Sequence, residues 1–166
     1  MRAKNFWILG FAVALFLVLA TNSKVRASGD THFKWVIVSS ASALAVDGSS
    51  ITLTGTGTFA PDDPEEVTGG GTWTVSTGGS GTFKVTGLIR FDPAPSSGPN
   101  QAGLGFFRIA YSDGSRGVLT VSCLTPGTPV PGLEDGAHSS KGFVDYFNRQ
   151  TPTGPVFFRQ LSGTEE

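Results

Sequence analysis

Residues 51–91 read ITLTGTGTFAPDDPEEVTGGGTWTVSTGGSGTFKVTGLIRF, and this stretch decides the fold. In Ile51–Phe59, Ile51, Leu53, Gly55, Gly57 and Phe59 share one face, and Thr52, Thr54, Thr56 and Thr58 share the other. Side chains alternate across a strand, so a period of two marks a half-buried strand. Thr72–Thr77 repeats the pattern with Trp73 and Val75 inward. Thr82–Phe91 does so with Phe83, Val85, Ile89 and Phe91 against Thr82, Lys84, Thr86 and Arg90. Val, Ile, Thr, Phe and Trp suit a pleated surface buried on one side. Three consecutive antiparallel strands follow. Gly55, Gly57 and Gly87 lie inside them, where glycine marks a bulge, a bend or a close backbone approach. Gly69–Gly71 and Gly78–Gly81 are turn material.

Working outward, His32–Ser39 predicts a first strand with Phe33, Trp35 and Ile37 on one face; Ser40–Ser50 is ambiguous up to an Asp47-Gly48-Ser49 turn. Downstream, Gly105–Tyr111 and Val118–Leu124 form a hairpin around Asp113–Gly117. Gly142–Arg149 and Val156–Leu161 are the last two strands. Asp92–Gly103 and Thr125–Gly136 read as Pro-rich surface loops. About eight short strands with no helix predict an all-β domain: a single antiparallel, calycin-like barrel, with a Greek-key β-sandwich as the alternative.

The first 27 residues read as a leader. Arg2 and Lys4 precede an apolar run, Phe6–Ala20, and Val25-Arg26-Ala27 offers a cut after Ala27, with Ala20 as an earlier choice. This is the pattern of a cleaved secretory signal peptide, and the apolar run is short for a membrane helix. The mature domain would be 28–166, secreted, periplasmic or at the cell surface, with no membrane span. All 13 acidic residues of the chain lie in it but only eight of the 12 basic ones. A net charge of −5 gives no electrostatic reason to seek nucleic acid. The one cysteine, Cys123, shares a strand face with Leu119 and Val121 and reads as a core thiol.

The set GTGTF, GGGTW, GSGTFKVTGLIRF, GVLTVSCL and KGFVDYFNR resembles an uncharacterised group of small exported all-β proteins, mostly bacterial. The resemblance implies export and a β fold, and brings no activity, ligand or catalytic residue.

No nucleophile elbow, phosphate loop, dinucleotide fingerprint or Cys/His zinc spacing is present, so no catalytic residue, metal ligand or cofactor is assigned. His138 behind Glu134-Asp135 and the acidic run Pro61–Glu66 lack metal-site spacing and read as solvated loops. The threonine faces read as ordinary solvent surface. Gly142–Arg149 is the richest segment. Unbroken alternation puts Phe143, Asp145, Phe147 and Arg149 on one face. If that face lines the interior, Phe143, Asp145, Arg149 and Tyr111 make an apolar ligand pocket with a few placed polar groups; an Asp–Arg pair holding strand register is the structural alternative. The expected function is non-enzymatic binding of a small apolar ligand or a surface partner. A cyclase- or isomerase-type barrel enzyme using Asp145, Tyr111 or Tyr146, and Arg149 is a second reading, and a structural or adhesive surface protein a third. The sequence sets neither the ligand nor the oligomeric state.

Overall fold

A computed structural model of the chain describes residues 31–96, 98–126, 130–132, 134–150 and 154–161; the expected leader lies outside them. The described residues contain no helix and form twelve strands. The first five are β1 (His32–Leu44), β2 (Ser50–Ala60), β3 (Asp63–Val67), β4 (Gly70–Val75) and β5 (Ser80–Pro93). Then come β6 (Asn100–Gln101), β7 (Gly103–Tyr111), β8 (Arg116–Cys123) and β9 (Gly136–Lys141), followed by β10 (Val144–Tyr146), β11 (Asn148–Arg149) and β12 (Val156–Leu161). All belong to one antiparallel sheet in the order β10-β9-β8-β7-β5-β4-β2-β1-β12-β6, with β11 beside β1 and β3 beside β2.

The alternation in β2 and β4 holds as read: Ile51, Leu53, Phe59, Trp73 and Val75 are buried, and the threonines face outward. In β5 it holds only to Val85. Register shifts at Val85/Gly87 and Leu88/Arg90 bring Leu88 inside and leave Ile89 exposed, against expectation. A bulge inserts a residue and resets which face the next side chain takes.

The sheet rolls until its distant strands share one core. Phe59 of β2 packs against Phe107 of β7 at 5.4 Å between ring centroids and against Phe158 of β12 at 5.8 Å. Trp35 of β1 meets Phe107 at 5.6 Å, and Phe91 of β5 meets Phe158 at 5.1 Å. These are ordinary edge-to-face and tilted aromatic contacts.

The sheet is not closed into a barrel, which corrects the expected architecture. The hydrogen-bonded path starts at β10 and ends at β6 without returning. The two ends are too short to complete a ladder. β10 has three residues, and after Phe147 only Asn148 and Arg149 pair with Leu44 and Ala43 of β1. β6 has two, pairing with Phe158 and Arg159 of β12, and it follows Pro93, Pro95 and Pro99, which offer no backbone N–H.

Three further expectations change. The acidic run is not wholly a loop, because Asp63–Val67 is a short strand pairing β2; its exposed carboxylates blunt the sheet edge. Gly136–Lys141, unassigned from sequence, is β9. Gly142–Arg149 is not one strand but a turn followed by β10 and β11.

The glycines of the GTGTF and GGGTW motifs serve close approach. A Cβ on Gly57 would lie 2.2 Å from the Thr68 carbonyl oxygen and 2.6 Å from Trp35 Nε1; one on Gly71 would lie 1.8 Å from the Thr54 carbonyl oxygen.

Candidate functional site

Phe143 occupies the tip of a two-residue turn joining β9 to β10, with Lys141 paired to Val144 across it. Gly142 takes φ +60 there, as a glycine in the first loop position of such a hairpin does. The turn reverses the chain and resets the alternation. Phe143 is fully exposed, Asp145 is exposed, and Tyr146 is buried at 4%. The inward aromatic of this segment is therefore Tyr146, and Phe143 does not line the interior. The expectation of an internal pocket around Phe143 fails for that reason.

Two clefts on the outside of the sheet meet at this turn. One, of about 390 Å³, lies over β7–β9 and is lined by Phe106, Val118, Thr120, His138 and Ser140, with Phe143, Val144 and Asp145 closing its far side. The other, of about 470 Å³, runs between the β1–β2 turn and β10, lined by Val46, Asp47, Phe143, Val144, Asp145 and Phe147. Val46 and Phe147 are exposed large apolar side chains beside Phe143. Asp47 is held by its own turn. Its Oδ1 accepts from Ser49 N at 2.9 Å and Ser49 Oγ at 2.6 Å, and the hydroxyl hydrogen bond in particular keeps the carboxyl below the usual range.

Of the four residues expected to form a site, the structure brings two together, Phe143 and Asp145. Arg149 lies half-buried further along, where Nη1 donates to the Glu134 carbonyl at 2.9 Å. Tyr111 is in the core. Its hydroxyl donates to the Ser140 carbonyl at 2.8 Å and lies 3.0 Å from Ser139 Oγ, and burial pushes its pKa up to about 12. Asp145 outside and Tyr111 and Tyr146 inside share no cavity, so the acid–base set required of a cyclase or isomerase is not assembled.

Above Tyr111, Lys141 is clamped. Its Nζ lies 4.3 Å from the Trp73 ring centroid and 5.3 Å from that of Tyr111, and it ion-pairs with Asp113. Two rings set edge-to-face and a carboxylate hold this cation in a structural role. The contact pulls the Asp113 carboxyl down to about 2.

His138 stands on β9, not in a solvated loop. Burial, and then the Arg149 charge, pull its pKa down, with Asp145 opposing. Its Nδ1 and Arg149 Nε are buried without a hydrogen-bond partner among the described residues. No group of three or more His, Cys, Asp and Glu able to hold a metal ion occurs among the described residues. Cys123 is buried in the core, and burial raises its thiol. The threonine faces partly engage one another, as in Thr54 with Thr72 at 2.6 Å and Ser42 with Thr52 at 2.8 Å between hydroxyl oxygens. No described helix is long and apolar enough to cross a membrane, which says nothing of strands.

Sequence reasoning missed Val46, Phe147, Phe106 and Val118 as surface residues. Val46, beside the Asp47-Gly48 turn, was the readable signal, because an apolar residue next to a tight turn has little core to enter. No protein family matches the chain, and no curated protein or solved structure does.

Proposed function

We propose that this chain is an exported, non-enzymatic binding protein that takes an apolar partner on the outside of its sheet, at the surface centred on Phe143. The observation that carries the reading is the placement of the aromatics. Trp35, Phe59, Phe107 and Phe158, at 1% exposure or less, fill the middle of the roll, while Phe143, Phe147 and Val46 stand in solvent around two joined clefts. An interior packed by rings supports external rather than internal binding. A cluster of exposed large apolar side chains beside concave surface is the usual mark of an interaction site, and each cleft is of small-ligand size. Export rests on the leader pattern at 1–27.

The test uses the anionic dye 8-anilinonaphthalene-1-sulfonate with the folded protein. With protein dilute enough to be monomeric, the dye's fluorescence should rise on binding, and Phe143→Ser should abolish most of the rise without changing thermal unfolding, because Phe143 contributes nothing to the core. Equal dye binding by wild type and Phe143→Ser would overturn the reading. Native mass spectrometry of the purified protein separates the two kinds of partner: a retained small molecule that Phe143→Ser releases makes the partner a ligand, and its absence leaves a macromolecular surface.

A further inference from the structure

The outer face of β7–β10 carries more than apolar exposure, and its charge layout identifies a partner. We propose that this face is a two-fold interface between two copies of this chain. The inference rests on reading the Phe143 surface as a docking surface.

The register sets out the face in rows. Arg108 of β7 stands opposite Val118 of β8, and Ser140 of β9 opposite Asp145 of β10. Val118 N donates to Ser140 Oγ at 3.0 Å, which joins the two halves of the row. The next row runs Phe106, Thr120, His138. The centre of the face is therefore mixed: Phe106 and Val118 stand among the polar Thr120, His138 and Ser140, with Phe143 at the margin, while Val144 packs toward the core. One flank is basic: Arg108 and Arg116 bound a further cleft of about 260 Å³, and Lys84 extends the flank, opposite Ala110, itself opposite Arg116. The other flank is acidic, with Asp145 and, past Phe143, Asp47.

Lys84, Arg108, Arg116 and Asp145 are exposed and make no side-chain hydrogen bond or ion pair among the described residues. They do not neutralise one another within the chain. Arg108 and Asp145 are three strand spacings apart, about 14 Å, which exceeds the Debye length of about 8 Å at physiological ionic strength. A two-fold axis through the centre of the face, parallel to the strands, reverses one copy over the other. Each basic flank then meets the opposite copy's Asp145, twice over, while Phe143 of each copy enters the Phe106–Val118 cleft of the other. An isologous interface needs this self-complementarity, in which one residue meets a second and the second meets the first. Exposed aromatic side chains inside a charged rim also suit a protein interface.

A charge-swap experiment on the full folded domain tests it by sedimentation velocity over a wide concentration range. Wild type should dimerise, less so at high salt. Asp145→Arg should weaken self-association more than about tenfold, and so should Arg108→Glu combined with Arg116→Glu, because each puts like charges face to face. An equal mixture of the two variants should recover dimers, since one then carries two basic flanks and the other two acidic ones. That recovery also shows both variants folded. A monomeric wild type at every concentration, variants that dimerise like wild type, or a mixture that stays monomeric would each overturn the proposal. A monomer that still binds the dye through Phe143 removes the second copy as partner and leaves the binding surface standing; a monomer whose dye binding ignores Phe143 removes both.

Discussion

Replacing Gly57 by alanine sets two effects of opposite sign against each other. Glycine inside a strand is entropically costly, so alanine should gain roughly 0.5–1 kcal/mol if space allows. Space does not allow it. The added Cβ would stand 2.2 Å from the Thr68 carbonyl oxygen, 2.6 Å from Trp35 Nε1 and 2.8 Å from Gly69 Cα. Two of these are backbone atoms, and the third belongs to a tryptophan with 0% exposure, so nothing nearby can swing aside. β2 and the Thr68–Gly69 segment must part by about an ångström, an overpacking cost of order 1–3 kcal/mol. Steric cost should win, with a net loss of about 1–2 kcal/mol. Urea unfolding followed by tryptophan fluorescence measures it as a fall in midpoint at constant slope. Gly87→Ala is the matched control. Its Cβ would meet only the mobile end of the Arg108 side chain, at 3.2 Å, so its stability should stay within about 0.5 kcal/mol of wild type. A Gly57→Ala protein as stable as wild type, or equal losses at both positions, would refute the claim that close approach, rather than strand bending, fixes this glycine.

Three other outcomes follow from the geometry. Tyr111 is neutral in the fold until about pH 12 but ionises near 10 when unfolded, so stability is intact below pH 10 and falls between 10 and 12 by about 2 kcal/mol; urea midpoints across that range check it, and Tyr111→Phe should flatten the decline. Cys123 is buried, so a thiol reagent such as dithionitrobenzoate should react with one equivalent only after unfolding in urea. Lys141→Met removes the Asp113 ion pair and the contacts on Trp73 and Tyr111 but keeps the buried stem, so it should cost no more than about 1–2 kcal/mol by thermal or urea unfolding.

What the sequence made legible is what a half-buried strand writes plainly. β2 and β4 alternate without interruption, and β1 does so through Ile37, so their inward residues could be named. Legibility stopped where the backbone lost count. In β5 two register shifts moved the inward position from Ile89 to Leu88. In Gly142–Arg149 a turn at Gly142 did the same, so that Phe143 and Tyr146 exchanged the roles that alternation gave them. The Gly142 signal was readable as a hairpin turn. β9 was not readable, because its inward residues are Ala137 and Ser139, too small to mark a face by hydropathy.

The number of aromatic residues left the function undecided, because phenylalanines that fill a core and phenylalanines that line a cavity look alike in a sequence. Geometry separates them. Phe59 touches Phe33, Phe91, Phe107 and Phe158, all with centroids 5.0–5.8 Å away, so these rings spend their surface on one another. Phe143 touches none of them and has its whole surface in water, which for a residue of this size forgoes roughly 1.5–3 kcal/mol of burial. The fold gains nothing from that exposure, since the turn at Gly142 works with a polar residue in the next position as well. The burial that Phe143 forgoes in the monomer is open to the proposed partner, and the exposed Val46 and Phe147 beside it enlarge the same uncovered surface. This supports the proposal of a binding surface outside the sheet, where the sequence reading had put it within.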